Sequence, residues 1–145
     1  MSEPNEALLN EHLAAENAHD LARIMATYTA SPVIELNGSR IEGLAAVREF
    51  HRGFGFGGGE EASFSNVNVA ERRRYRATDA IVVEQTLTGS HTGAWRGVEP
   101  TGRTVSIAVC TVYAFADGKL TRESVYLDEG RLRHELTKPR TRGRD

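Results

Sequence analysis

Cysteine is nearly missing from this chain: Cys110 is the only one in 145 residues. No intramolecular disulfide can form and no thiolate cluster for zinc or iron–sulfur binding exists, so packing has to hold the core. A reducing, cytoplasmic setting is expected. Long apolar runs are also missing, since no stretch approaches the ~18 consecutive apolar residues of a membrane span. The opening, MSEPNEALLNEH, lacks a basic segment followed by an apolar one, so the mature chain is expected to begin near Met1, with no membrane partner. Neither sign of charge dominates. With 18 basic and 20 acidic side chains the net charge is -2, which provides no general field for nucleic acid or anionic lipid.

What is present fits one domain of a soluble globular class, with 39% hydrophobic and 26% charged residues. Residues 1–137 are expected to form it. The tail 138–145, KPRTRGRD, has no apolar period and is expected to be disordered. The hydrophobic period changes once along the chain, from helical in the first third to strand-like afterwards, which points to an α+β fold. Leu8, Leu9, His12 and Leu13 share a helical face, and after Asp20, a candidate N-cap, Leu21, Ile24, Met25 and Tyr28 follow at helical spacing. Pro32 ends helical geometry. Val33 to Leu36 read as a short strand closed by Asn37 and Gly38, and after Gly43 a third helix sets Leu44, Val47, Phe50 and Phe54 on one side. The glycine run at 55–59 stops that helix and forms a mobile lip; it is no phosphate cradle, because it ends a helix and no Lys-Ser/Thr follows.

The second half reads as strands near 62–75, 79–91, 103–116 and 119–128. Asp117-Gly118 is the preferred pair for a two-residue type I′ hairpin loop. With those two residues as the loop, Phe115 faces Leu120, Tyr113 faces Arg122, Val109 faces Tyr126 and Ile107 faces Asp128. All eight then share one face, and the other carries Ala108, Cys110 and Val112 against Leu127, Val125 and Glu123. Both faces are substantially apolar, so one is expected to meet the helices and the other a second copy of the chain. The run from Glu71 to Arg76 reads as aliphatic stems on a solvated edge strand, with no nucleic-acid partner.

The segment GSHTGAWRGVEPTGRTV, followed by FADGKLTRESVYLD, resembles the SnoaL-like polyketide cyclases of the nuclear transport factor 2-like superfamily. The resemblance spans most of the chain. It implies a cone-shaped, strongly curved, mostly antiparallel sheet, three helices in the N-terminal half, a short C-terminal helix and a homodimer. It also implies a cofactor-free intramolecular aldol condensation, with Asp128 and His91 at the positions of the family's proton-moving aspartate and histidine. Leu127 and Ser124 depart from the family pattern, where an aromatic and a basic residue are often found.

Asp128 has a physical reading of its own: beside Ile107, Val109 and Tyr126, burial would raise its carboxyl toward the range useful for taking and returning a proton. A second reading makes it the N-cap of the helix that begins at DEGRLRHEL, and the two can coexist. His91 could touch substrate or bond a loop carbonyl. Glu35 stands near where the related ketosteroid isomerases place their base, and a glutamate beside an exposed turn can equally be solvated. Tyr28, Tyr113, Tyr126 and Trp95 could line a pocket for a small apolar or aromatic molecule. His12, His19, His51 and His134 show no metal-binding spacing with nearby acids, and no metal or other cofactor is expected. The leading expectation is acid–base catalysis on an apolar carbonyl compound. The alternatives are a non-catalytic ligand-binding or dimerisation module, or an isomerase, dehydratase or epoxide-hydrolase-like enzyme.

Overall fold

The computed structural model describes residues 3–59 and 61–140, so residues 141–145 of the expected tail lie outside the described residues. Helix α1 (Glu3–Asn17) carries Glu3 and Glu6 in its first turn, where carboxylates favour the exposed N–H groups. Its buried stripe is Asn5, Leu9, His12, Ala15 and Glu16, unusually polar for a core-facing stripe. Asp20 caps α2 (Leu21–Met25) by accepting from the Arg23 N–H at 3.2 Å.

The helical period expected to continue to Tyr28 stops at Met25. Thr27 turns its hydroxyl onto the Ile24 carbonyl at 2.6 Å, and its own carbonyl accepts from Leu120, so Tyr28 opens strand β1 (Tyr28–Leu36). β1 crosses Pro32 where the pairing register shifts between Tyr28 and Val33 and the ladder needs no N–H from a proline. Asn37 and Gly38, at φ 48 and 89, turn the chain into β2 (Ser39–Glu42), a strand the sequence reading left out. Helix α3 (Leu44–Phe54) buries Val47 and His51 and ends at Gly55.

Four long elements follow, β3 (Phe64–Arg76), β4 (Ala80–His91), β5 (Thr104–Ala116) and β6 (Lys119–Leu127), and α4 (Glu129–Thr137) closes the described chain. The sheet order is β2-β1-β6-β5-β4-β3, with β1 and β6 parallel and every other pair antiparallel. This is the expected α+β class: a mixed, mostly antiparallel sheet that curls around an interior without its edges β2 and β3 meeting.

The β5–β6 hairpin corrects the expected register. Asp117 and Gly118 take φ 51 and 73, as a type I′ loop needs, and Ala116 pairs Lys119 and Phe115 pairs Leu120. Ala114 then pairs Arg122, leaving Thr121 as an extra residue whose hydroxyl donates to the Ala114 carbonyl at 3.2 Å. Beyond this bulge Tyr113 faces Glu123, Cys110 faces Tyr126 and Val109 faces Leu127. A slip of one residue exchanges the faces of a strand. Glu123, Val125 and Leu127 therefore point inward, and Tyr126, about half exposed at 51%, points out.

The arginine run also does more than coat an edge. Arg74 reaches Glu71, Glu6 and Asn10 with its side chain only 9% exposed, and Arg76 pairs with Glu6, so β3 is fastened to α1.

Gly55 is required by space as well as conformation. At φ 142 a Cβ there would stand 2.3 Å from the Phe64 carbonyl oxygen, a contact backbone atoms cannot relieve. Gly55→Ala should therefore lower stability by about 2–3 kcal/mol, read as a shift of the urea midpoint at unchanged slope. A loss under about 0.5 kcal/mol would show that this packing has slack.

Candidate functional site

The concave face of the sheet and helices α1, α3 and α4 enclose a cavity of about 320 Å³. Its walls are largely apolar, with Phe50, Phe54, Phe56, Trp95, Val109 and Leu132 among them. Phe56, from the glycine-rich segment expected to form a lip, is buried against this interior. Six polar residues of the lining, Glu16, His51, Gln85, Thr111, Tyr113 and Glu123, meet at the closed end, and Glu49, Ser63, Arg96 and Glu129 line it elsewhere.

That end is built on His12, which is fully buried beneath the lining. The Thr27 hydroxyl proton is given to Ile24, so Thr27 Oγ1 accepts from His12 Nδ1 at 2.9 Å. His12 Nε2 stands 2.9 Å from Glu123 Oε1 and 3.3 Å from Glu16 Oε2, in hydrogen-bonding line with neither. With Nδ1 donating and Nε2 set between two carboxylates, the ring carries both protons. Burial opposes that charge, but Glu16 and Glu123 outweigh it and push the imidazolium up to about 10. Burial likewise works against the Glu16 carboxylate, and His12 overcomes it and holds Glu16 below its usual range.

His51 comes from α3, one turn beyond Val47, whose carbonyl accepts from its Nδ1 at 2.9 Å. Its Nε2 lies 3.4 Å from Glu16 Oε2 and 3.4 Å from the Tyr28 hydroxyl oxygen. Tyr28 donates its hydroxyl proton to Glu123 Oε1. On the neighbouring strands Thr111 Oγ1 donates to Gln85 Oε1 at 3.1 Å, which orients the amide so that Nε2 donates to the Tyr113 oxygen at 3.0 Å. The Tyr113 proton is left without an acceptor among the described residues. Burial, then Glu16 and Glu123, raise the Tyr113 hydroxyl well above its usual range, so it stays a neutral donor facing the cavity.

The site residues read from the sequence divide into three groups. Tyr113 and Trp95 line the cavity, and Tyr28 lies just behind it, holding Glu123. His91 is buried outside the lining, with its ring 5.3 Å from Phe64 and its Nδ1 accepting from the Thr101 N–H at 3.1 Å. Burial lowers its imidazole below the usual range, against the opposing effect of the Gly93 and Val98 backbone.

Asp128, Tyr126 and Glu35 are placed on the outside. The expected partnership of Asp128 with Ile107 is corrected by the Thr121 bulge: Asp128 is exposed and caps α4, accepting from the Arg131 N–H at 2.8 Å. Of its two readings, the cap is the one the geometry displays. Glu35 faces away from the cavity, accepting from Ser124 Oγ at 2.9 Å, with Arg40 and Arg122 beside it.

Sequence reasoning missed His12, Glu16, His51, Gln85, Thr111 and Glu123. One signal was available, since His12 and Glu16 are a turn apart on the apolar stripe of α1. Four of the six converge through ligand-type atoms: one atom each from His12, Glu16, His51 and Glu123 lie within 4.8 Å of one another.

A curled mixed sheet with helices over its concave face and a pocket between them defines the nuclear transport factor 2-like class. Within it, the SnoaL-like domain matches residues 9–123, and the chain belongs to that family. Among solved structures it is similar to a protein from Jannaschia sp. CCS1 assigned to the SnoaL-like polyketide cyclases, at 20% identity and TM-score 0.83, covering 95% of this chain and 94% of that one. An LEH-like epoxide hydrolase of M. tuberculosis is 20% identical, with TM-score 0.72 over 93% of this chain and 90% of that one. An NTF2-like protein of unknown function from Burkholderia pseudomallei K96243 is 17% identical, with TM-score 0.74 over 94% and 99%. At these identities the likeness concerns the fold. No curated protein matches the chain.

The buried charges should leave their mark on stability. His12 is held charged to about 10 when folded against 6.5 as a free group, so its contribution is complete below 6.5 and is lost as pH rises through about 10. Glu16 is held below 4.5, so its contribution is complete above that and is lost as pH falls through its folded value. Thermal unfolding with chelator present should show greatest stability between these limits and a decline toward pH 10. His12→Gln should cost about 3–5 kcal/mol near neutral pH and abolish the alkaline decline. An unaltered decline in that variant would place its origin elsewhere.

Proposed function

We propose that the chain is a small enzyme of the polyketide-cyclase type, using general acid–base catalysis on an apolar carbonyl compound held in the cavity. The observation that carries this reading is the meeting, at the closed end of an apolar cavity, of a carboxylate, Glu123, with a hydroxyl donor, Tyr113. Glu123 Oε1 is occupied by Tyr28 and His12, and its Oε2 makes no hydrogen bond among the described residues. Glu123 takes a proton from the carbon next to the substrate carbonyl. The electron pair moves onto the carbonyl oxygen, where the Tyr113 hydroxyl stabilises it. In an intramolecular aldol reaction the enolate carbon then attacks a second carbonyl of the same molecule, and the new alkoxide recovers the proton from Glu123. The phenyl rings of Phe50, Phe54 and Phe56 fit a flat apolar body and exclude water from these steps.

A second reading, ligand binding without turnover, is favoured by the commitment of Tyr28 to Glu123 and by the ion-pair contacts of His12 with both carboxylates. The two readings separate in heavy water. Small aromatic ketones incubated with the protein should exchange α-protons for deuterium, followed by NMR. Glu123→Gln should slow exchange about 100-fold and Tyr113→Phe about 10- to 100-fold, while Asp128→Asn should leave it near the wild-type rate. Binding without exchange would support the second reading, and full exchange by Glu123→Gln would remove Glu123 from the reaction.

The outer sheet face supports association of two copies, because Tyr126 and Tyr75 are about half exposed, at 51% and 49%, on strands that the helices leave uncovered. Sedimentation should show a dimer that Tyr126→Glu weakens at least 10-fold; a monomer at all concentrations would refute the pairing.

A further inference from the structure

His12 and Glu16 stand one turn apart on α1, and folding brings His51 of α3 against them. We propose that His12 Nε2, His51 Nε2 and a Glu16 carboxylate oxygen form a binding site for a divalent transition-metal ion at the closed end of the cavity. The proposal goes beyond the acid–base reading and leaves Glu123 in its role beside the ion.

Distances support it first. Glu16 Oε2 lies 3.3 Å from His12 Nε2 and 3.4 Å from His51 Nε2. An ion with bonds of about 2.0–2.1 Å in tetrahedral geometry sets its ligand atoms about 3.3 Å apart, which the two distances from Glu16 match, and the two Nε2 atoms lie within 4.8 Å of each other.

The outer support of the rings points the same way. A ligating histidine gives its other N–H to a fixed acceptor, which sets tautomer and orientation. Both rings do so through Nδ1, His12 to Thr27 Oγ1 and His51 to the Val47 carbonyl, each at 2.9 Å. Both Nε2 atoms then face Glu16. His12 Nε2 is buried and makes no hydrogen bond of its own among the described residues, although it lies within ion-pairing reach of both carboxylates.

Donor chemistry narrows the ion. Two imidazoles and one carboxylate suit zinc, iron, cobalt or manganese, whereas calcium and magnesium favour oxygen alone. A dication would also offset the charges of Glu16 and Glu123, which are otherwise countered by protons; ion and proton compete for the same nitrogen. Glu16 and His51 line the cavity and His12 does not, so the open coordination position would face the ligand, where an ion polarises a carbonyl oxygen.

The test uses the full chain stripped with chelator and titrated with Co²⁺, then Zn²⁺. One Co²⁺ per chain should bind with the strong visible absorption of a low-coordinate site, and Zn²⁺ should displace it. His51→Gln and Glu16→Gln, shown folded by circular dichroism, should weaken binding about 100-fold or more, while Glu123→Gln and His134→Gln retain it. In wild-type protein Zn²⁺ should shift the imidazole NMR signals of His12 and His51 and leave that of exposed His134 unchanged, a readout independent of whether the variants fold. No stoichiometric binding, binding retained by both ligand variants, or unmoved His12 and His51 signals would overturn the site. Exchange of ketone protons by stripped enzyme that binds no Co²⁺ would overturn the metal site alone. Stoichiometric Co²⁺ binding without exchange would support the metal site while removing the acid–base reading.

Discussion

Two carboxylates buried under a cavity floor are the constraint around which this structure is arranged. Glu16 and Glu123 are 5% and 3% exposed, and an unpaired charge at such depth would cost several kcal/mol. The chain answers with His12, placed between them with its second nitrogen committed to Thr27. Three connections follow from this one arrangement. α1 must lie across the sheet, the end of α2 must turn sharply so that Thr27 reaches His12, and β6 must present Glu123 inward. A buried ion pair is a poor source of net stability compared with apolar packing. Its place here, at the end of a cavity of about 320 Å³, is the observation on which the proposed acid–base role rests.

The inward presentation of Glu123 depends on one extra residue. Thr121 is accommodated by a hydroxyl bond to the Ala114 carbonyl, and every side chain beyond it changes face. Without that bulge β6 would turn Tyr126 and Asp128 toward the cavity and Glu123 toward solvent. The hairpin loop and the bulge act in opposite senses: Asp117-Gly118 sets the pairing at the tip, and Thr121 resets it two pairs later. Bulges beside functional sites redirect side chains in this way elsewhere in β-proteins.

The cavity separates its tasks by region. Aromatic and aliphatic side chains form most of the wall, while the polar end presents a carboxylate, a hydroxyl donor and imidazoles. Low local dielectric strengthens each polar contact there. The curled sheet is shared with the structures this chain resembles, so the fold alone does not select a reaction, and the proposed chemistry rests on these few side chains. Two chains of this shape can differ in reaction by exchanging residues on the inner face of β4, β5 and β6 alone.

Much of the architecture could be read from local pattern. The change from helical to alternating period located the helices and the long strands within a few residues, Asp20 declared a cap, and Asp117-Gly118 declared a hairpin with both φ angles positive. The family resemblance rested on motifs around His91 and Asp128, and residues 9–123 match the SnoaL-like domain. β2 escaped notice because Ser39–Glu42 is short and lies between two turn signals. The spacing of Tyr28 from Leu21 is helical, but pairing with Leu120 of β6 places it in a strand.

The site itself was decided by tertiary structure. His12 and Glu16 carried a faint local signal, but nothing along the chain relates them to His51 or to Glu123, which arrive from α3 and β6. Local propensity specifies which face of an element is apolar, and a one-residue bulge accompanied by a single hydroxyl-to-carbonyl bond leaves no such trace. Periodicity specified most of the helices and the long strands; long-range packing and the burial of charge determined which titratable groups meet.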